Sequence, residues 1–330
     1  MSTARTVPVT VEMDGEELDA EDAWHELRKV GVRRLAVDAF VRFRYGDGFS
    51  SSRALALQAS LAVVPFLLAL SGLVADLDEA RPAEVLAATV AAISPGGGDS
   101  DALARAVRGS DASELTGELA LWAGLALALV SMTTAMAQIE RGLNRIYGIR
   151  RDRPALHKYG RAAALTAVLA VPVGVGFLLI VAGSAFADAM ADGYGWSSGT
   201  VTAWNWLRWP VGVVLVTFTV AVLLNHAPRR RQPGLSWLAV GAGVSVALSL
   251  ASTGLLAAYA GLSPSFGDVY GPLAGVVALL LWTLLSSVAL FLGAAVCAQL
   301  EACRGGQADP AEDDPGRPHG VVVDERGVPA

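Results

Sequence analysis

The run ERGLNRIYGIR, at residues 140–150, carries the side chains best suited to binding chemistry. At helical spacing Arg141 and Arg145 share one face of a helix that would emerge from the membrane along the inner headgroups. Two guanidinium groups so placed could bind a lipid phosphate, with Asn144 and Tyr147 as further contacts. The competing interpretation is that these bases only anchor the topology of the chain.

A second candidate site is a polar seam inside the membrane. Gln58 lies seven residues before Pro65, and a carboxamide in hydrocarbon needs partners for both its donor and its acceptor. Pro65 and Pro172 would each kink a helix and free a backbone carbonyl. Such breaks often line a pathway, but they are equally frequent in ordinary membrane helices, so both interpretations stay open.

Catalytic, cofactor and metal sites are not indicated. The four histidines are widely separated in sequence, and neither a G-x-S-x-G motif nor a P-loop occurs. Cys297 and Cys303 have five residues between them, unlike a metal-binding C-x-x-C pair, so we expect reduced thiols. The net charge of -6 argues against a nucleic-acid partner. The sequence therefore predicts a protein that is not an enzyme and has no cofactor.

The elements that must position these residues are membrane helices. Of the 330 residues, 53% are hydrophobic and 17% are charged, against about 25% charged in ordinary soluble domains. A helix needs about 20 apolar residues to cross a bilayer. Six charge-free windows of that length predict an all-α, polytopic bundle with six transmembrane helices, at about 54–75, 119–139, 162–187, 207–226, 235–258 and 273–300.

The ends of the chain complete the predicted organisation. Most Lys and Arg residues fall in segments on one side of the six windows, so the positive-inside rule places both termini in the cytoplasm. We expect an acidic disordered segment over 1–26, a basic juxtamembrane amphipathic helix over 27–53, the membrane domain over 54–303 and a disordered tail over 304–330. The external connection, 76–118, is either a cap or a solvated linker.

Several motifs, in order, carry a family resemblance. They are Ala54-Leu55-Ala56 through Pro65-Phe66-Leu67-Leu68, then Arg141-Gly142-Leu143-Asn144-Arg145-Ile146-Tyr147, then Tyr270-Gly271-Pro272-Leu273-Ala274-Gly275 leading to Trp282, and Gly293-Ala294. Over roughly residues 30–303 the chain looks like the YihY/virulence factor BrkB family of bacterial membrane proteins. We expect the small residues of these motifs to pack helices closely. The motif residues concerned are Tyr270, Gly271, Gly275, Trp282 and Gly293.

The chain also departs from this family pattern. Aromatic residues are expected where it has Leu57 and Gln58, and a Glu and an Asn are expected where it has Ala295 and Cys297. A role that rests on that carboxylate is therefore not expected here. Members of the family have carried the label ribonuclease BN, which these residues do not support.

Three functional hypotheses follow. The first is a multi-pass protein of the bacterial plasma membrane that is permease-like or handles lipids in the cell envelope. Its partners would be membrane lipids, including anionic ones, and its small-residue faces permit a homo-oligomer. The second hypothesis is a non-transporting membrane scaffold that recruits partners. The third is a membrane ribonuclease.

Overall fold

The computed structural model describes residues 5–12, 18–76, 114–149, 153–262 and 274–313. Helices dominate these residues, as the all-α prediction requires. The helices are α1 (Ala20–Val30), α2 (Val32–Tyr45), α3 (Gly48–Asp76), α4 (Glu114–Ile146), α5 (Ala155–Phe177), α6 (Gly183–Tyr194), α7 (Ser198–His226), α8 (Leu235–Leu262) and α9 (Ala274–Arg304). A π-helical segment, Leu178–Ala182, joins α5 to α6.

Six helical segments in this part of the chain are long and apolar enough to cross a membrane. They are Gly48–Ala69, Leu121–Ile146, Ala155–Tyr194, Ser198–His226, Leu235–Tyr259 and Gly275–Arg304. Each overlaps one of the predicted windows, so the six-span bundle is confirmed. The third segment contains the π-helical break, which the sequence did not indicate.

The N-terminal residues differ from the prediction of disorder over 1–26. Residues 5–12 and 18–26 lie against the bundle, where Val7, Thr10 and Leu18 are buried. Asp19 caps α1 by accepting hydrogen bonds from the backbone nitrogens of Glu21 and Asp22, at 2.9 and 3.0 Å. Acidic composition favours disorder, but burial of Val7, Thr10 and Leu18 against the bundle outweighs it in these described residues.

The juxtamembrane segment and the tail also differ from expectation. The predicted single helix over 27–53 is interrupted at Gly31, whose φ of 86° ends α1, and its last residues belong to α3. Leu35 and Phe43 of α2 pack into the core. In the tail, predicted to be disordered, strand β2 (Glu312–Asp313) pairs antiparallel with β1 (Arg5–Thr6). Residues 314–330 and most of the 76–118 connection lie outside the described residues.

Burial divides the bundle into two halves along the membrane normal. The terminal half contains the helix ends near residues 48, 146, 155, 226, 235 and 304, together with both chain termini. The far half contains the ends near 76, 114, 194, 198, 262 and 274. Large buried side chains such as Phe43, Trp237 and Phe291 lie in the terminal half. Among the described side chains of 198–211, 247–259 and 275–282, all in the far half, none is buried.

Candidate functional site

Gln58 lies within the first membrane-spanning helix and is hydrogen-bonded to a neighbouring helix. It is ten residues into α3 and four residues after Ala54, where the predicted first window begins. Its Nε2 donates to Oγ1 of Thr134 on α4. Thr134 in turn donates to the backbone oxygen of Ser131 at 2.7 Å. The carboxamide is therefore bound by protein, although the side chain remains only half-buried.

A second polar contact lies two residues further along α3, on a different side of that helix, and joins α3 to α9. The hydroxyl oxygens of Ser60 and Thr283 are 2.9 Å apart. We call Gln58, Ser60, Thr134 and Thr283 the polar seam. Just beyond it toward the far half, Nε1 of Trp282 donates to Oγ1 of Thr253 at 3.0 Å and joins α9 to α8. The seam thus lies between the packed terminal half and the far parts of α7, α8 and α9, in which no described side chain is buried.

The helix break after Pro172 is held by side chains of α7. Pro172 lies within α5, six residues before the π-helical segment. Nη1 of Arg208 donates to the backbone oxygen of Leu179 at 3.1 Å, and Nε1 of Trp204 donates to the backbone oxygen of Gly183 at 2.7 Å. Carbonyls at a helix break in a membrane need such partners. Pro65, in α3, lies in a helix that continues without a described break.

Helices α8 and α9 cross without space for side chains at two glycines. A Cβ on Gly241 would overlap Sγ of Cys297 and the backbone oxygen of Gly293, and a Cβ on Gly293 would overlap Oγ of Ser245. Close packing of this kind is what small residues permit in a membrane. Cys297, at a position where the resemblance led us to expect Asn, fills the space beside Gly241 and donates to the backbone oxygen of Leu238 at 3.7 Å.

The terminal half contains a buried ionic cluster, which comprises Arg42, Tyr147, Arg230, Gln299 and Glu301. Nη2 of Arg230 donates to Oε2 of Glu301 at 2.8 Å, and its guanidinium lies over the Tyr147 ring at 4.8 Å. Nε of Arg42 donates to Oε1 of Gln299 at 2.9 Å. Arg42, Tyr147, Gln299 and Glu301 are almost completely buried. The cluster therefore joins α2, α9 and two connections in one desolvated site.

The N-terminal segment covers this cluster. Nη1 of Arg42 donates to Oγ1 of Thr10 at 3.0 Å and to the backbone oxygen of Ile146 at 3.2 Å. The backbone nitrogen of Thr10 donates to the backbone oxygen of Tyr147 at 3.1 Å. Gly148 has a φ of 77°, and a Cβ there would overlap the backbone of Pro8. The first residues of the chain thus form part of the closure of the terminal half.

Burial also shifts the pKa values of Arg42 and Tyr147, which lie outside the membrane-spanning segments. It lowers the pKa of Arg42 to about 10, against the opposing effects of Tyr147 and Glu301. Burial also raises the pKa of Tyr147 well above 10, and the negative charge of Glu301 adds to this. At neutral pH the site therefore contains a guanidinium and an uncharged phenol.

The four residues predicted to contact lipid phosphate are divided between the surface and the interior. Arg141 is exposed, and Arg145 is about half exposed and forms an ion pair with Asp47. Asn144 and Tyr147 are buried: Asn144 Oδ1 accepts from the backbone nitrogen of Arg229 at 2.7 Å, and the ring of Tyr147 lies against the guanidinium of Arg230. We therefore retain the phosphate proposal for the two arginines alone.

A further buried ion pair fixes the connection between α7 and α8. Nη1 of Arg153 donates to Oε2 of Glu140 and to the backbone oxygen of Ala227, both at 3.1 Å. Its Nη2 donates to the backbone oxygen of Pro228 at 3.0 Å. Burial is the main effect on Arg153 and lowers its pKa. This pair balances its own charge and joins α4 to the start of the connection between α7 and α8.

Sequence reasoning missed most of the ionic cluster. Arg42 lies between Ala39 and Phe43 on the apolar face of α2, which was a usable signal. Glu301 directly follows the last charge-free window, and Arg230 belongs to the basic run 229–231, for which phosphate binding and topology anchoring were the two interpretations. Among the predicted family-motif residues, Gly275 and Trp282 lie in the far half, whereas Tyr270 and Gly271 lie outside the described residues. Within the described ranges no group of three His, Cys, Asp or Glu side chains could hold a metal ion.

Comparison with known proteins gives consistent matches. The family model described as Virulence factor BrkB matches residues 39–317. The ribonuclease-like protein YfkH of Bacillus subtilis (strain 168) is 25% identical over 263 residues, which cover 80% of this chain and 94% of YfkH.

Two further relatives are named UPF0761 membrane protein. The one from Chromohalobacter salexigens is 28% identical over 274 residues, covering 82% of this chain and 63% of that protein. The one from Azotobacter vinelandii is 25% identical over 189 residues, covering 57% and 45%. The chain thus spans less than two thirds of the length of these two relatives. No solved structure matches the chain.

Proposed function

The chain belongs to the Virulence factor BrkB family, and we propose that it is a permease-like or lipid-handling protein of the bacterial plasma membrane. The observation that carries the proposal is the contrast in burial between its two halves. The terminal half is closed by packed side chains and the N-terminal segment, whereas described side chains of α7, α8 and α9 in the far half are unburied. A bundle that is densely packed at one end and sparsely packed in the described far parts of α7, α8 and α9 fits one state of a carrier better than a uniformly packed anchor.

The polar seam is the proposed contact site for the transported molecule. Gln58, Ser60, Thr134 and Thr283 offer hydroxyl and carboxamide groups within the membrane-spanning helices, where hydrocarbon offers none. These groups now bond one another, so a polar headgroup or solute entering from the far half could exchange partners with them. The hydrogen-bonded break after Pro172 gives α5 a place to bend during such an exchange.

The test is lipid movement in vesicles that contain the purified full chain. We expect the protein to speed the movement of a fluorescent anionic phospholipid between leaflets. Gln58→Leu should slow this movement by about tenfold, which corresponds to roughly 1.4 kcal/mol on the barrier. The matched control is Thr217→Val, because the Thr217 hydroxyl bonds only its own helix, at the backbone oxygen of Val213. Equal rates with and without protein, for lipid and for small solutes, would favour the scaffold.

The exposed basic face supplies a second, smaller test. We propose that Arg141 and Arg145 contact anionic headgroups, each with roughly 1 kcal/mol. Replacing both with Gln should weaken binding of vesicles rich in anionic lipid and leave neutral vesicles unaffected. Asp47→Asn is the control for the lost ion pair of Arg145. Unchanged binding to anionic vesicles would remove the two arginines from the proposal.

A further inference from the structure

We propose that the buried ionic cluster holds one small monovalent inorganic anion, such as chloride, between Arg42 and Arg230. This inference does not depend on the proposed function. It rests on the charge balance of the cluster and on four polar atoms within it that have no hydrogen-bond partner.

The charges of the described cluster do not balance. Arg42 and Arg230 are guanidinium groups, and Glu301 is the one carboxylate among the described residues that acts strongly on Arg42. Glu301 is engaged by Arg230 at 2.8 Å. Tyr147 is uncharged at neutral pH. One positive charge therefore remains in a site where Arg42 is fully removed from solvent, and an uncompensated buried charge is strongly unfavourable.

The unused donors lie on the two arginines that carry this charge. A guanidinium has five N–H donors. Arg42 uses Nε and Nη1, and Arg230 uses Nε and Nη2. Nη2 of Arg42 and Nη1 of Arg230 have no partner, although both are buried. Buried donors are nearly always bonded, so two of them on neighbouring cations indicate a missing acceptor.

The other two unpartnered atoms can pair with each other. Oη of Tyr147 and Oε1 of Glu301 are both buried without a partner. Rotation of the phenolic hydrogen would let Tyr147 donate to Glu301, which needs no further group. The two arginine nitrogens have no such solution, because both can only donate.

An anion accounts for these observations better than water. A water molecule would accept from the two nitrogens but would leave the excess charge unchanged. A single monovalent anion accepts from both and makes the cluster neutral, whereas a divalent anion would reverse the excess. The complete burial of Arg42 and Tyr147 favours a small ion over a lipid headgroup.

The test measures thermal unfolding of the full chain in nanodiscs at constant ionic strength, with chloride replaced stepwise by gluconate. We expect the midpoint to rise with chloride along a saturable curve, by about 5 °C at a concentration a hundred times the Kd. Arg42→Gln and Arg230→Gln should abolish this response. Arg153→Gln is the matched control, because it removes a buried arginine whose charge Glu140 already balances, so it should destabilise the protein yet retain the chloride response.

A measurement on the unaltered protein covers the case in which the cluster variants fail to fold. Crystals grown in bromide should show an anomalous peak between Arg42 and Arg230. A midpoint that is the same in chloride and gluconate, or a bromide map with no peak at the cluster, would overturn the proposal. A saturable response that survives Arg230→Gln would overturn it as well.

Discussion

The terminal half and the far half are built from the same six segments but are stabilised in different ways. In the terminal half, residues such as Phe43, Trp237 and Phe291 fill a core, and charged side chains are buried in paired or clustered form. In the far half, the described ends of α7, α8 and α9 have no buried side chain, and single hydrogen bonds such as Trp282 to Thr253 join the helices. We infer from this difference that the described far parts of α7, α8 and α9 rearrange more easily than the terminal half.

The largest expected effect comes from breaking the ionic cluster. Glu301→Ala removes the acceptor of Arg230 and leaves two buried guanidinium groups. We expect a loss of about 3–5 kcal/mol in the free energy of unfolding, measured by denaturant titration in detergent micelles. The far-half comparison is Thr253→Val, which removes an exposed hydroxyl and should change stability by less than about 1 kcal/mol. Equal losses for the two variants would contradict the contrast between the halves.

Two glycines of α8, Gly241 and Gly243, differ in how closely α9 packs against them. Gly241→Ala places a methyl group against Cys297 and Gly293, so overpacking should cost about 1–3 kcal/mol. Gly243→Ala is two residues away, where a Cβ meets nothing within 4 Å, and it should be neutral or slightly stabilising because Ala favours the helix. Thermal unfolding of the two variants in parallel tests this pair, and a similar midpoint for both would show that the crossing is looser than described.

The helix break in the far half should be less important for stability than the cluster. Trp204→Phe keeps the ring but removes the N–H that bonds Gly183, so we expect a loss of about 1 kcal/mol. Trp206→Phe is the control, because Trp206 is largely exposed. Faster amide hydrogen exchange around residues 178–183 in Trp204→Phe, with no change in Trp206→Phe, is the expected local signature. Identical exchange in both variants would mean that Trp204 does not hold the break.

The smallest effect is a pH dependence of the terminal half. Because the pKa of Tyr147 is raised in the folded protein above its unfolded value of about 10, its contribution to stability is complete below pH 10 and is lost as pH rises toward the folded value. In an absorbance titration, the phenol of Tyr147 should not ionise near pH 10. Tyr147→Phe should leave the titration near pH 10 unchanged. If that variant instead lost amplitude there, Tyr147 would be accessible to solvent.

The sequence predicts the membrane spans well because hydrocarbon strongly penalises charge, so charge-free windows must coincide with crossings. It also identifies Gln58 as a polar residue that needs partners, but not Thr134 as the partner, since the two are 76 residues apart. The ionic cluster is even more difficult to predict from the sequence. Arg42, Tyr147, Arg230 and Glu301 come from four separate segments, and each has an ordinary local interpretation.

For the N-terminal segment, the sequence predicted less structure than the described residues have. Its acidic composition predicts disorder over 1–26, yet Val7, Thr10 and Leu18 become buried once the bundle offers a surface. Composition averages over a segment, whereas docking depends on a few side chains and on a partner surface formed by distant residues. The π-helical break at 178–182 was missed for a similar reason, because its carbonyls depend on Arg208 and Trp204 from the next helix.

The proposal that the polar seam is accessible from the far half, whereas the terminal half is closed, can be tested by measuring the access of water to each. In a background with Cys297→Ser and Cys303→Ser, single variants Ser60→Cys at the seam and Ser245→Cys in the packed terminal half would be exposed to a charged, membrane-impermeant thiol reagent from the far side. Ser198→Cys, at the far end of α7, is the positive control. We expect Ser60→Cys to react with the reagent and Ser245→Cys not to react. A cysteine at position 60 that is as unreactive as Ser245→Cys would contradict access to the polar seam from the far half.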